Sequence, residues 1–155
     1  AAFADRPCEV VMSVGKQTDM AELGDIPANV HVYPWVPQLK VLQQASLFIS
    51  HGGMNSINES LLFNVPLLMV PQQIEQAYSA RRIQQLGAGR CLRPGRVTPS
   101  RLHDLSAAML ADPSYRHQAT MLGESVRAGG HQRAAQLILQ HIHGAERESR
   151  RELAA

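Results

Sequence analysis

Between Trp35 and Gln76 the chain reads W-V-P-Q-L-K-V-L, then S-H-G-G-M-N-S-I-N-E-S, then V-P-L-L-M-V-P-Q-Q-I-E-Q. Each segment offers a different chemistry. Pro34 and Pro37 bracket Trp35, which suggests a loop position where an indole face can stack on a flat base; a lone Trp in a small domain also commonly sits part-buried in the core. Ser50-His51-Gly52-Gly53 leads from a strand into a helix. Glycines let a backbone approach a ligand closely, and a helix N-terminus offers free N–H groups and a positive dipole end. That combination suits an anion such as a diphosphate, although strand–turn–helix punctuation alone uses the same residues. His51 is open to two readings, a satisfied core histidine or a phosphate contact. Ser56-Ile57-Asn58-Glu59 matches the S-x-x-E capping box. Glu75 and Gln76 open a further helix, where they can reach sugar hydroxyls or simply cap the helix and offset its dipole.

These residues need strand ends and helix starts to hold them. Apolar runs of strand length fall at 9–14, 29–33, 47–50, 67–70 and, more weakly, 90–92. Helix-length segments separate them, at 37–45, 55–64 and 75–86. Gly87 stands at the usual C′ position of the last of these. Thr98-Pro99 and Asp112-Pro113 each pair an N-cap with Pro at the first helical position, so each opens a helix. Gly129-Gly130 precedes a last helix at 131–143. This alternation predicts an α/β domain, a Rossmann-like parallel sheet with helices on both faces. The six methionines fall mostly in apolar contexts and read as core.

The bulk numbers exclude several classes. A length of 155 residues gives one domain with a sizeable core, and 45% apolar with 18% charged residues is an ordinary globular composition. A net charge of +2 gives no reason to expect a nucleic-acid partner. Arg81, Arg82, Arg147, Arg150 and Arg151 read as solvated faces. Cys8 and Cys91 have neither disulfide-framework nor zinc-site spacing, and no apolar run is long enough for a membrane span. No metal site is expected: His141-x-His143 lacks an acidic or Cys partner, and no Asp-x-Asp occurs. A cytoplasmic protein with reduced thiols is the expectation.

The run from Trp35 to Gln76 resembles the donor-binding signature of the family 1 glycosyltransferases, the UDP-glycosyltransferases, in the bacterial macrolide-glycosyltransferase flavour. The resemblance extends from residue 9 to about 143. It implies the C-terminal, donor-binding half of a GT-B enzyme over 1–145, with a charged, disordered tail at 146–155. It also implies one further strand and helix ahead of the chain, with 1–6 as the end of that helix. Such a missing strand would leave unpaired edge groups, so self-association or marginal stability is expected. Carried over residue by residue, Trp35 stacks on the base, the Val36 backbone meets the base edge, and Gln38 contacts ribose or base. Glu59 takes the ribose hydroxyls, which suits an acceptor-only carboxylate facing a diol. His51, Gly53, Asn55 and Ser56 hold the diphosphate, and Glu75 with Gln76 holds the sugar. Plant members carry Asp rather than Glu at 75 and Trp at 73 and 54; Glu75 and Gln73 here leave the sugar open, while Met54 and the slightly shorter run from Trp35 to Gln76 point to the bacterial branch.

The resemblance further implies a nucleotide-sugar substrate, UDP-linked more than dTDP-linked, and no cofactor. The full enzyme would transfer the sugar with inversion to a hydroxyl of a small lipophilic acceptor, with the base and acceptor site in the N-terminal domain. This chain would then hold no catalytic residue. Two other classes compete with this one. A dinucleotide-binding oxidoreductase needs G-x-G-x-x-G after the first strand, and Ser13-Val14-Gly15-Lys16-Gln17-Thr18 has one glycine. A non-catalytic sugar-nucleotide-binding or interaction module fits the same motifs.

Overall fold

A computed structural model describes residues 2–130 and 133–141. The apolar runs form β1 (Val10–Ser13), β2 (Val30–Tyr33), β3 (Phe48–Ser50), β4 (Leu67–Met69) and β5 (Gly89–Cys91). The intervening segments form α1 (Gln38–Leu42), α2 (Met54–Leu62), α3 (Ile74–Gln85), α4 (Pro99–Ala111) and α5 (Pro113–Arg127). Every strand pair is parallel, as the helix-length connections require. The single expected sheet is divided into two ladders, β1–β2 and β3–β4–β5. The division follows from the pairings. Val10–Ser13 lies on Val30–Tyr33, and Phe48 takes Leu67 as its partner; no ladder among the described residues joins the two sets. Residues 2–6, within the 1–6 stretch expected to end a helix, run as turns and bends. Two short 3-10 turns, Met20–Leu23 and Pro94–Arg96, have no apolar periodicity and were not expected.

β4 organises the larger sheet. All three of its residues are fully buried, and its side chains alternate between two faces. Leu67 and Met69 pack with Ile57 and Leu61 of α2, Ala80 and Ile83 of α3, and Ala119 of α5. Leu68 packs on the other face with Leu92 and Met109. Helices therefore cover both faces of this sheet, which is why β4 reads as a continuous apolar run.

The helix ends explain the boundaries. Thr98 accepts from the Arg101 N–H at 3.2 Å and Asp112 from the Ser114 N–H at 2.9 Å, each followed by Pro at the first helical position. Gly87 (φ +76°) closes α3, with N–H bonds from Gly87 to Gln84 and from Ala88 to Ile83. Asn64 (φ +60°) closes α2 in the same way, with Asn64 bonded to Leu61 and Val65 to Ser60. Arg127 of α5 adds donors to the Leu62 carbonyl at 2.7 Å and the Asn64 side chain at 3.0 Å. Arg116 does the same for the carbonyls of Ala45 and Ser46 after α1.

The reading of the methionines as core holds for Met69 and Met109 only; Met12, Met20, Met54 and Met121 are exposed. Met is unbranched and tolerates many settings, so an apolar neighbourhood in sequence places it poorly. Of the last expected helix, 133–141 are helical, while 131–132, His143 of the His141-x-His143 pair and the expected tail at 146–155 lie outside the described residues.

Candidate functional site

In open parallel sheets, ligands bind outside the carboxyl ends of the strands. Three of the segments that leave those ends are 34–37 after β2, 51–53 after β3 and 70–73 after β4. Every residue selected from the sequence lies in one of these segments or on the helix that follows it.

The segment after β3 leads into the open N-terminus of α2. Gly52 is buried and has φ +79°, a conformation that favours glycine. Its N–H points back to the Ser50 hydroxyl at 3.3 Å. Gly53 is extended (φ −65°, ψ 148°) and is the N-cap of α2, with no side chain capping that end. The first intrahelical bond runs from the Ile57 N–H to the Gly53 carbonyl at 3.0 Å. The N–H groups of Met54, Asn55 and Ser56 precede it and face the open end of the helix. A Cβ at Gly53 would run into His51 Nε2, so the imidazole occupies the space that a side chain at 53 would fill. His51 itself is exposed. The open reading of His51 as a core histidine therefore fails: its ring is exposed and lies against Gly53, the N-cap of α2.

The capping box expected at Ser56 and Glu59 is not formed. Gly53 takes the N-cap position, which puts Ser56 at the third helical residue and Glu59 one turn further in. The physical reason is that a glycine in extended conformation already supplies the carbonyl that starts the helix, three residues before Ser56. Ser56→Ala is therefore expected to change stability by no more than about 0.5 kcal/mol, rather than the roughly 0.5–2 kcal/mol of a lost cap. Urea denaturation reads the difference directly.

Glu59 instead works with α1. Gln38 Nε2 donates to Glu59 Oε2 at 2.5 Å, a part-buried bond that ties the segment after β2 to α2. No local signal in sequence announces it, since the partners are 21 residues apart. Among the described residues, Glu59 Oε1 takes no hydrogen bond. Trp35 is 66% exposed, so the loop reading of this residue holds against the core reading. Val36 is half-buried beside it.

The segment after β4 is held by Gln76. Its Oε1 accepts from the N–H groups of Gln72 at 2.9 Å and Gln73 at 3.2 Å. Gln76 is 9% exposed, whereas its neighbour Glu75 is exposed. The side chains of Trp35 and Glu75 make no hydrogen bond among the described residues, so both are available to a ligand. Among the described residues, no group of three His, Cys, Asp or Glu side chains is arranged to hold a metal ion.

This geometry meets its counterparts in known proteins. Residues 1–134 match the family described as erythromycin biosynthesis protein CIII-like, C-terminal domain. The uncharacterized UDP-glucosyltransferase YojK of Bacillus subtilis is 39% identical over 135 residues, covering 86% of this chain and 33% of that protein. The oleandomycin glycosyltransferase of Streptomyces antibioticus is 37% identical over 139 residues, covering 88% and 32%. The crystal structure of CalG4, the calicheamicin glycosyltransferase, superposes with a TM-score of 0.85 at 34% identity, covering 93% of this chain and 38% of that one. The chain thus spans about a third of the length of the relatives it matches. With a glycine-led helix start after β3, helices on both faces of a parallel sheet and these matches along nearly its whole length, the chain belongs to the erythromycin biosynthesis protein CIII-like C-terminal domain family, the C-terminal half of GT-B glycosyltransferases.

Proposed function

We propose that this chain binds the donor for a glycosyltransferase that moves a sugar, with inversion, from a nucleoside diphosphate to a hydroxyl of a small lipophilic acceptor. The observation that carries the reading is the anion end: His51 over Gly53, at a helix N-terminus that no side chain caps. The diphosphate sits there, against the N–H groups of α2, Asn55, Ser56 and the imidazole. Glu59 and Gln38 take the ribose, Trp35 and the Val36 backbone the base, and Glu75 with Gln76 the sugar. The acceptor-only carboxylate of Glu59, with one oxygen outside the bond to Gln38, suits a ribose with both hydroxyls, hence UDP over dTDP. A relative named for oleandomycin supports a lipophilic acceptor. The chemistry supplied by this part is positioning, together with stabilisation of the leaving diphosphate by fixed N–H dipoles. The base and the acceptor site lie elsewhere in the full protein, so this chain alone turns nothing over. A cytoplasmic setting, where nucleotide sugars are made available, belongs to the same reading.

Calorimetric titration with UDP, dTDP and NAD tests it. UDP is expected to bind more tightly than dTDP, and NAD not to bind. Binding is expected to survive EDTA, because positive charge comes from the helix end rather than a metal. His51→Ala is expected to weaken UDP about tenfold, the scale of a hydrogen bond to a charged group. Stability should change by less than about 0.5 kcal/mol, since the ring is exposed. Loss of UDP binding in EDTA, or a His51→Ala variant that is strongly destabilised yet keeps full UDP affinity when folded, would rule out the diphosphate assignment.

A further inference from the structure

The buried amide of Gln76 has a consequence for how the sugar end of the site works. Backbone N–H groups of Gln72 and Gln73 converge on one atom of its side chain. Only the carbonyl oxygen can receive two donors, so the orientation of the amide is settled by its partners. Gln73 is the N-cap of α3 and Gln76 its third helical residue, so the bond from the Gln73 N–H is the backward half of a capping box. The bond from Gln72 reaches one residue further, beyond the cap. The segment so gripped is otherwise lightly held. Val70 bonds to the Ser50 carbonyl at 2.8 Å, and Gln72 folds its own side chain back to the Val70 carbonyl at 3.0 Å. Pro71 is buried, but 72–75 are exposed. Without Gln76, the two N–H groups just ahead of α3 would lose the acceptor they share.

We infer that Gln76 is a positioning residue whose carbonyl clamps the 70–73 turn onto the start of α3 and so fixes where Glu75 meets the sugar. This rests on the donor-binding reading. It divides the sugar contacts by chemistry. Glu75 offers only acceptors, so it receives sugar hydroxyl protons. Gln76 has spent its acceptor, and its Nε2 remains only as a donor. The clamp, rather than that donor, is the larger part of its effect on the sugar.

Two substitutions separate the roles. Gln76→Glu keeps an acceptor for both N–H groups, placed favourably at a helix N-terminus, and removes the Nε2 donor. Gln76→Met has similar length and removes the acceptor. The first readout is amide hydrogen exchange at Gln72 and Gln73 in the ligand-free chain. Both amides are expected to be protected in the wild type and in Gln76→Glu, and to exchange about tenfold or more faster in Gln76→Met, the scale of one or two lost hydrogen bonds. The second readout is the ratio of the Kd for UDP to the Kd for UDP-glucose, which isolates the sugar. Gln76→Met is expected to change this ratio about five- to tenfold and Gln76→Glu by no more than about twofold. Equal losses in both variants would make Nε2 the important group and overturn the clamp. So would fast exchange of Gln72 and Gln73 in the wild type. If the wild type binds neither nucleotide, the donor-binding reading fails, while the exchange rates still decide the clamp.

Discussion

Gly123→Ala is expected to destabilise the chain by about 2–3 kcal/mol, the cost of forcing atoms into a closed contact. α5 crosses the last turn of α2 at this residue. A Cβ at 123 would run into the Leu61 backbone carbonyl, with Asn64 Oδ1 at 3.0 Å and Arg127 Nη1 at 3.1 Å on its other sides. The carbonyl is part of a helix and cannot swing aside, so the helices must separate. Alanine gains about 1 kcal/mol over glycine in helix propensity, and the steric term exceeds that gain. Separation would also pull Arg127 from the Leu62 carbonyl, leaving the end of α2 without that donor. Urea denaturation should show a lower midpoint at unchanged slope. Gly130→Ala is the control, because a Cβ there meets nothing within 4 Å. A Gly123→Ala variant as stable as wild type would show that α5 does not press on α2 as described. The contact bears on the proposed function because α2 is also the helix whose opposite end is the proposed diphosphate site.

Much of this fold was legible because its signals are local. Gly87 closing α3, and Thr98-Pro99 and Asp112-Pro113 opening α4 and α5, depend on residues within one turn of each other. The buried triplet Leu67–Met69 was legible from apolarity alone. The failures share a different cause. S-x-x-E at Ser56 has the spacing of a cap, but Gly53 starts the helix earlier, and a four-residue pattern cannot see where the preceding strand ends. Met12 and Met121 sit among apolar neighbours in sequence yet face solvent, because burial depends on which face of a strand or helix the fold presents. Arg116 and Arg127 carry no local sign of a role, and they serve the ends of α1 and α2 across 70 and 65 residues of chain. Within the site, residue types were readable and their couplings were not. Gln38 and Glu59 each suggested a ribose contact, while the bond between them appears only when α1 is set beside α2. Gln76 suggested a sugar contact, while its buried carbonyl proves to be occupied by the backbone ahead of its own helix.

Trp35 gives the largest expected effect on ligand binding. It is the only Trp in the chain and is two-thirds exposed, so its emission is expected at long wavelength in the free protein. Stacking of uracil on the indole should quench and shift that emission, with no second Trp to mask the change. Losing a base-stacking aromatic costs about 1–3 kcal/mol, so Trp35→Ala is expected to weaken UDP roughly 5- to 150-fold, while Trp35→Phe retains most of the affinity. Stability should hardly move, since the side chain buries little apolar surface. Inorganic diphosphate provides the internal comparison. It can occupy the helix end at Gly53–Ser56 but has no base, so it should bind Trp35→Ala as it binds wild type and should leave the emission unchanged. Quenching by UDP but not by diphosphate would place the base on Trp35 and the phosphates at α2. Unchanged emission at saturating UDP, or full UDP affinity in Trp35→Ala, would remove Trp35 from the site and leave only the anion end as evidence for a nucleotide.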